Sequence, residues 1–206
     1  MEIEMKYSIS DKAEADAIWD DDYLNRLADA DSKETVLMRS VYFDTADRAL
    51  SQRDIAFRVR MEGTRIVASL KWNGNAVDGL HVCEEVNVPV DDPNCFIQPS
   101  PDIFKESEAG RAMIELIGDK PLTAILEVQY LRRRMRLDDQ DTIMEVAIDT
   151  GEILTENGNR PICELEIELF SGDQETVRQL GAQLKERYNL VEMNTSKYAR
   201  GIALLK

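Results

Sequence analysis

Charged and apolar residues alternate with a period of two along most of this chain. At the start, Glu2, Glu4 and Lys6 fall on one face of an extended segment, and Ile3, Met5 and Tyr7 on the other. The alternation recurs in residues 35–43, 55–62, 65–72, 81–90, 126–137, 142–149 and 162–170, which predicts about eight strands. Turns are expected at Gly63-Thr64, at Asn73-Gly74-Asn75 and at Asp138-Asp139-Gln140-Asp141, so the sheet should be largely antiparallel. Helical spacing appears at 11–28 after a Ser10 or Asp11 cap, at 103–117, at 173–188 and in a short closing segment, 196–204.

The polar faces are unusual in what they carry. They hold eight basic groups (Lys6, Arg58, Arg60, Arg65, Lys71, Arg132, Arg134, Arg136) and nine acidic ones (Glu2, Glu4, Glu62, Glu85, Glu145, Asp149, Glu164, Glu166, Glu168). Solvated strand faces use more Thr, Ser and Gln. Acids dominate the first and last strands and bases the middle ones. The helices need apolar strand faces to cover, which leaves the charged faces in solvent or turned toward one another. An eight-stranded barrel is just wide enough to hold side chains or one small ligand, and here it would set a carboxylate wall against a basic wall.

Composition narrows the partners. The 206 residues suit one domain, and 43% hydrophobic with 32% charged residues suits a globular protein. No apolar run approaches the roughly 20 residues of a membrane span. The first residues do not resemble a signal peptide, so a cytoplasmic protein is expected. A net charge of −15 argues against a nucleic-acid surface but permits a local basic cavity for a small anion. Cys83, Cys95 and Cys163 are odd in number and widely spaced, which predicts buried bystanders. The single histidine, His81, and the tryptophans Trp19 and Trp72 read as structural. Asp20-Asp21-Asp22 reads as a solvated helix face, and Asp44 and Arg48 as shaping the turn after the 35–43 strand.

Clustered carboxylates suit a hard divalent cation, and Mg²⁺ commonly takes one or two of them together with substrate phosphates. Glu2, Glu4, Glu164 and Glu166 are the natural cage. Arg and Lys on the facing strands suit phosphate oxygens, which points to a polyphosphate bound with metal.

Several short motifs then converge. Glu2-Ile3-Glu4-Met5-Lys6, Tyr42-Phe43-Asp44-Thr45, Arg58-Val59-Arg60 and Leu70-Lys71-Trp72 are followed by Gly79-Leu80-His81-Val82 and Ala147-Ile148-Asp149-Thr150-Gly151. Glu164-Leu165-Glu166, Ser196-Lys197 and Arg200-Gly201 complete the series. In this order they resemble the CYTH family of triphosphate tunnel metalloenzymes over the whole chain, 1–206, read as a single domain.

The resemblance implies an α+β fold: an eight-stranded antiparallel tunnel, open to solvent, with helices packed outside. It implies metal-dependent hydrolysis of a small triphosphate, inorganic triphosphate first and thiamine triphosphate as a close variant, with Mg²⁺ or Mn²⁺ as cofactor. Glu2, Glu4 and Lys6 would be the catalytic set. Glu2, Glu4, Glu85, Asp149, Glu164 and Glu166 would serve the metal. Lys6, Arg58, Arg60, Lys71, Arg132, Arg134 and Lys197 would hold phosphates, with Arg133 replacing its neighbours only if the strand bulges. A class IV type adenylate cyclase and a non-catalytic polyphosphate-binding module are the alternatives. No nucleic-acid or membrane partner is expected, the chain should be a monomer or homodimer, and the tunnel should act without the helical domain sometimes fused to this family.

Overall fold

The apolar faces of the strands turn outward, so the barrel is charged inside and greasy outside. The computed structural model describes residues 1–139 and 141–206; Gln140, within the expected 138–141 turn, lies outside the described residues. Its strands are β1 (Glu2–Ser8), β2 (Glu34–Asp44), β3 (Ala56–Glu62), β4 (Arg65–Val77), β5 (Leu80–Pro89), β6 (Thr123–Asp139), β7 (Thr142–Thr155), β8 (Gly158–Ser171) and β9 (Val191–Glu192). The helices are α1 (Lys12–Trp19), α2 (Asp22–Leu27), α3 (Glu108–Ile117), α4 (Gln174–Tyr188) and α5 (Lys197–Leu204).

Neighbouring strands run β5-β4-β3-β2-β6-β7-β8-β1, and β1 pairs back onto β5, closing an eight-stranded antiparallel barrel as expected. The first six residues therefore form the seam. Glu2 lies opposite Cys83 on β5, and Lys6 lies opposite Glu166 on β8. Past the end of β5, the two-residue β9 continues the pairing with Tyr7 and Ser8. Backbone bonds fix Lys6 on both sides, its N–H donating to Gly79 O at 2.8 Å and its carbonyl accepting from Met193 N at 3.0 Å. Gly79 takes φ +78°, and a Cβ there would lie 3.0 Å from that Lys6 carbonyl, so the β4–β5 turn requires glycine.

Two outer cores hold the helices. Met5, Tyr7, Met135, Val146, Leu165 and Ile167 pack against Ile18 of α1, Leu24 of α2 and Val177 and Leu184 of α4. Val41, Phe43, Phe57, Val59 and Leu70 pack against Phe104 and, from α3, Met113 and Ile117. The outward alternation read from the sequence is thus the packing surface of the molecule.

Local boundaries differ from expectation for identifiable reasons. β4 runs through the expected 73–75 turn to Val77, with an irregularity between Trp72 and Asn75, and reverses at Asp78-Gly79 instead. The expected 11–28 helix breaks at Asp20-Asp21. Asp21 is buried, caps α2 by accepting from Tyr23 N (2.9 Å) and Leu24 N (3.0 Å), and accepts from Tyr188 Oη at 2.7 Å, so the triplet breaks the helix at Asp21, while Asp20 and Asp22 are solvated as expected. The 103–117 segment divides into a 3-10 turn at Pro101–Phe104 and α3, which Ser107 caps.

Candidate active site in the barrel

The inward residues line a cavity of about 1030 Å³. Across one end lies α5, whose Tyr198 and Ile202, with Leu205 beyond it, pack on the inward residues Tyr42, Leu126, Val128, Tyr130, Ile153 and Ile162. Gly201 allows that approach, since a Cβ there would come 2.6 Å from Leu126 Cδ2. Docked this way, α5 sends Lys197 and Arg200 into the barrel, where both are buried.

The deepest charges form one network. Asp149, Glu164 and Glu166 are buried and each offers a carboxylate oxygen within 4.8 Å of the others. Lys197 Nζ lies 2.7 Å from Asp149 Oδ2 and 2.8 Å from Glu166 Oε1, and also touches Glu164. Arg132 binds Asp149 with both arms of its fork, at 2.8 and 2.7 Å, and reaches Glu166 as well. Arg200 pairs with Glu164. Burial alone would raise the Glu166 carboxyl, but Lys197, Lys6 and Arg132 hold it well below the usual range.

Nearer the open end, the cations are shared among carboxylates. Lys6 Nζ sits 2.8 Å from Glu4 and also pairs with Glu166. Lys71 pairs with Glu2 and lies 3.3 Å from Glu85, to which Arg58 approaches at 3.4 Å. Arg60 pairs with Glu62, and Arg134 with Glu34 and, at 3.6 Å, Glu145. Burial works to raise Glu2, yet Lys71 and a hydrogen bond from Cys83 bring it down to about 2. Glu4 goes the other way, to about 6: burial outweighs Lys6, and Glu166 and Glu2 repel its charge.

The expected site residues therefore gather inside the barrel, but not as a single cage. Glu164 lies in the deep group with Asp149, while Glu2 and Glu4 face the cavity nearer β5. Arg132 and Arg134 point inward as parity predicts. Arg133 points outward, 2.7 Å from Asp16 and over the Trp19 ring, so β6 does not bulge to admit it. Arg136 also leaves the interior, pairing with Asp29 at 3.0 Å near the barrel rim, and Arg65 lines the cavity as an exposed residue.

Three interior groups do more than their sequence context suggests. Cys83 is no bystander: its Sγ donates to Glu2 Oε2 at 3.0 Å within the cavity, and burial followed by the Glu2 charge pushes the thiol up to about 12. Arg200 follows Lys197 by three positions, the spacing that puts both on one helix face. Glu168 lies opposite Glu4 on β1 and Glu145 on β7, lines the cavity, and has no ion-pair partner among the described residues. Burial, then Glu2 and Glu4, push it up to about 8. Its parity placed it inward; the recognised motif ended at Glu166.

Comparisons with known proteins agree with this architecture. The family model described as the CYTH domain matches residues 1–202. An inorganic triphosphatase from Haemophilus influenzae is 26% identical over 176 residues, covering 83% of this chain and 47% of the relative, so the chain spans about half the length of that protein. Among solved structures, a Hippeastrum protein named as a candidate adenylyl cyclase and described as having a dominant triphosphatase activity superposes with a TM-score of 0.74 at 21% identity, over 98% of this chain and 96% of its own. A Bacillus halodurans protein named as a candidate adenylate cyclase superposes with a TM-score of 0.57 at 19% identity, over 95% and 94% of the two chains. These likenesses establish the fold.

Proposed function

The chain belongs to the CYTH domain family, and from that premise we propose that it hydrolyses a small triphosphate, inorganic triphosphate first, with a divalent metal ion, inside the barrel. The observation that carries this reading is the interior charge pattern. Seven cations (Lys6, Arg58, Arg60, Lys71, Arg132, Arg134, Lys197) stand against carboxylates in a cavity far larger than their own ion pairs need. A polyanion with its metal counterion satisfies both walls together.

The carboxylates suit a hard cation. Asp149, Glu164 and Glu166 present three oxygens at close range, with the Lys197 ammonium in contact with all three carboxylates. Glu168 and Glu4 hold their protons too tightly for lone surface carboxyls, which a positive charge beside them would reverse. We assign metal binding to Glu2, Glu4, Glu85, Asp149, Glu164 and Glu166, and add Glu168. A bound Mg²⁺ or Mn²⁺ supplies Lewis-acid polarisation of phosphate and a more acidic water.

The chain's own groups do the rest. Lys6, Arg58, Arg60, Lys71, Arg132, Arg134 and Lys197 exchange carboxylate partners for phosphate oxygens and spread the charge of the transferring group. The Arg forks fix the chain's direction, and the Lys ammoniums serve as point charges. Lys6, flanked by Glu4 and Glu166, would carry positive charge beside the carboxylates that hold the metal and completes the proposed catalytic set with Glu2 and Glu4. Free thiols at all three cysteines suit the cytoplasm, the setting we propose for a monomer or homodimer. No helix among the described residues is long and apolar enough to cross a membrane.

Incubation with triphosphate, thiamine triphosphate or ATP, with Mg²⁺ or Mn²⁺, tests the proposal. Orthophosphate is expected, with the highest kcat/KM for triphosphate. Cyclic AMP with pyrophosphate from ATP would replace hydrolysis with cyclisation, and binding without any product would make the barrel a binding module. Glu4→Gln is expected to lower kcat/KM by about 100-fold with the fold intact; retained turnover would remove Glu4 from the site.

A further inference from the structure

Arg48 lies in the connection between β2 and β3, and the charge pairing of the cavity makes no use of it. The connection is stiffly built. Asp44 accepts hydrogen bonds from the backbone of Thr45 (2.8 Å), Leu50 (2.9 Å) and Ser51 (3.0 Å), and Thr45 Oγ1 accepts from Ala49 N at 2.9 Å. Arg48 contributes to this turn only through its backbone, its N–H donating to Thr45 O at 2.9 Å and its carbonyl accepting from Gln52 N at 3.0 Å. It holds φ at +58°, a region unfavourable to a residue with a side chain.

The guanidinium is what the turn leaves over. It lines the α5 end of the cavity with Ser51, Gln52 and Tyr198, and its Nη1, like Arg58 Nε and Arg60 Nε, is buried without a hydrogen-bond partner among the described residues. Tyr198 is itself fixed there, stacked on Tyr42 at 5.1 Å and donating to Ile55 O at 3.2 Å. Among the described residues, every other cavity-lining Lys or Arg that is not exposed has a carboxylate at ion-pair distance; Arg48 has none. Asp54 and Lys206 line the same end, but both are exposed and neither pairs with it. A partly buried guanidinium without a counter-charge is costly unless an anion from outside completes it.

The ligand follows from the charge and the space. The central cations and carboxylates already accommodate a triphosphate with metal, and a cavity of about 1030 Å³ is at the upper end for drug-sized molecules, with room beyond three phosphates. An uncharged appendage would leave the guanidinium unpaired, whereas one more phosphate would neutralise it. We propose that Arg48 is a second anion contact, taking the distal phosphate of a linear polyphosphate longer than the triphosphate held at the centre. This rests on the triphosphatase reading, and it makes chain length the property that this end of the cavity reads.

Calorimetric titration of the whole protein with tri-, tetra- and octaphosphate, each with Mg²⁺, separates the two claims. Wild-type affinity is expected to step up by about tenfold at tetraphosphate or by octaphosphate, the size of one charge-assisted contact. In Arg48→Gln that step is expected to vanish, and in Arg48→Lys to return in part, each read as the ratio of long-chain to triphosphate Kd within one variant. Equal affinity for all three lengths in the wild type, or a step that survives in Arg48→Gln, would overturn the assignment while leaving triphosphate hydrolysis standing. Absence of triphosphate binding would remove the parent reading, and this inference with it. Should Arg48→Gln fold poorly, Arg48→Ala, read by the same ratio, replaces it, and a step retained there would overturn the assignment equally.

Discussion

Glu168 shows how a single side chain in this barrel carries both a cost and a use. Burial and the neighbouring Glu2 and Glu4 charges raise it to about 8 from an unfolded value near 4.5. Between those two values the folded chain holds a proton that the unfolded chain has released, so stability falls as pH rises through the window. The metal-free protein should therefore melt at a lower temperature at pH 9 than at pH 6. Glu168→Gln should be more stable than wild type, by a margin that grows from pH 5 to pH 9. A margin independent of pH, measured by thermal melting, would show that Glu168 does not carry the titration. The opposite sign belongs to Glu2, held at about 2, whose contribution is present above pH 4.5 and is lost as pH falls toward 2.

At the level of elements, α5 is both a cover for the barrel and a supplier of charge to its centre. Lys197 sits among Asp149, Glu164 and Glu166, so Lys197→Met would leave buried carboxylates short of a counter-charge, at a cost of about 3–5 kcal/mol. Urea unfolding at pH 7 should show that loss, and the deficit should shrink on acidification as the carboxylates take up protons; no loss would mean Arg132, Lys6 and Arg200 suffice. Strand parity made most of this geometry legible in advance. It separated Arg132 and Arg134 from Arg133, and it put Glu168 inward beside Glu166. It could not give distances between strands far apart in sequence, so the expected cage joins Glu2 and Glu4 to Glu164 and Glu166, although the fold groups Glu164 and Glu166 with Asp149. Nor could it find the break at Asp21, because that cap answers to Tyr188 and Arg187, residues of a helix more than 160 positions later.

For the molecule as a whole, the interior is close to self-neutralised while the surface carries the excess of a chain with net charge −15. Each internal cation that turns to phosphate frees a carboxylate, and each carboxylate that turns to metal frees a cation. Binding of the two ligands is thereby coupled, and reciprocally so. Triphosphate Kd should tighten by about tenfold or more when Mg²⁺ is present, within the span of ordinary coupling energies; equal affinities by calorimetry would mean that the internal pairs do not compete. The acidic exterior favours cations and disfavours large polyanions, which must enter by the open end.

The seam at β1 has a consequence for how the chain is made. Lys6 meets Glu166 across 160 positions, the kind of contact that slows folding because so much chain must be ordered before it forms. During synthesis the first strand leaves the ribosome long before β8 exists to receive it. Until then the growing sheet keeps two bare edges, each able to pair with a neighbouring chain, and its aggregation hazard lasts until β8 arrives.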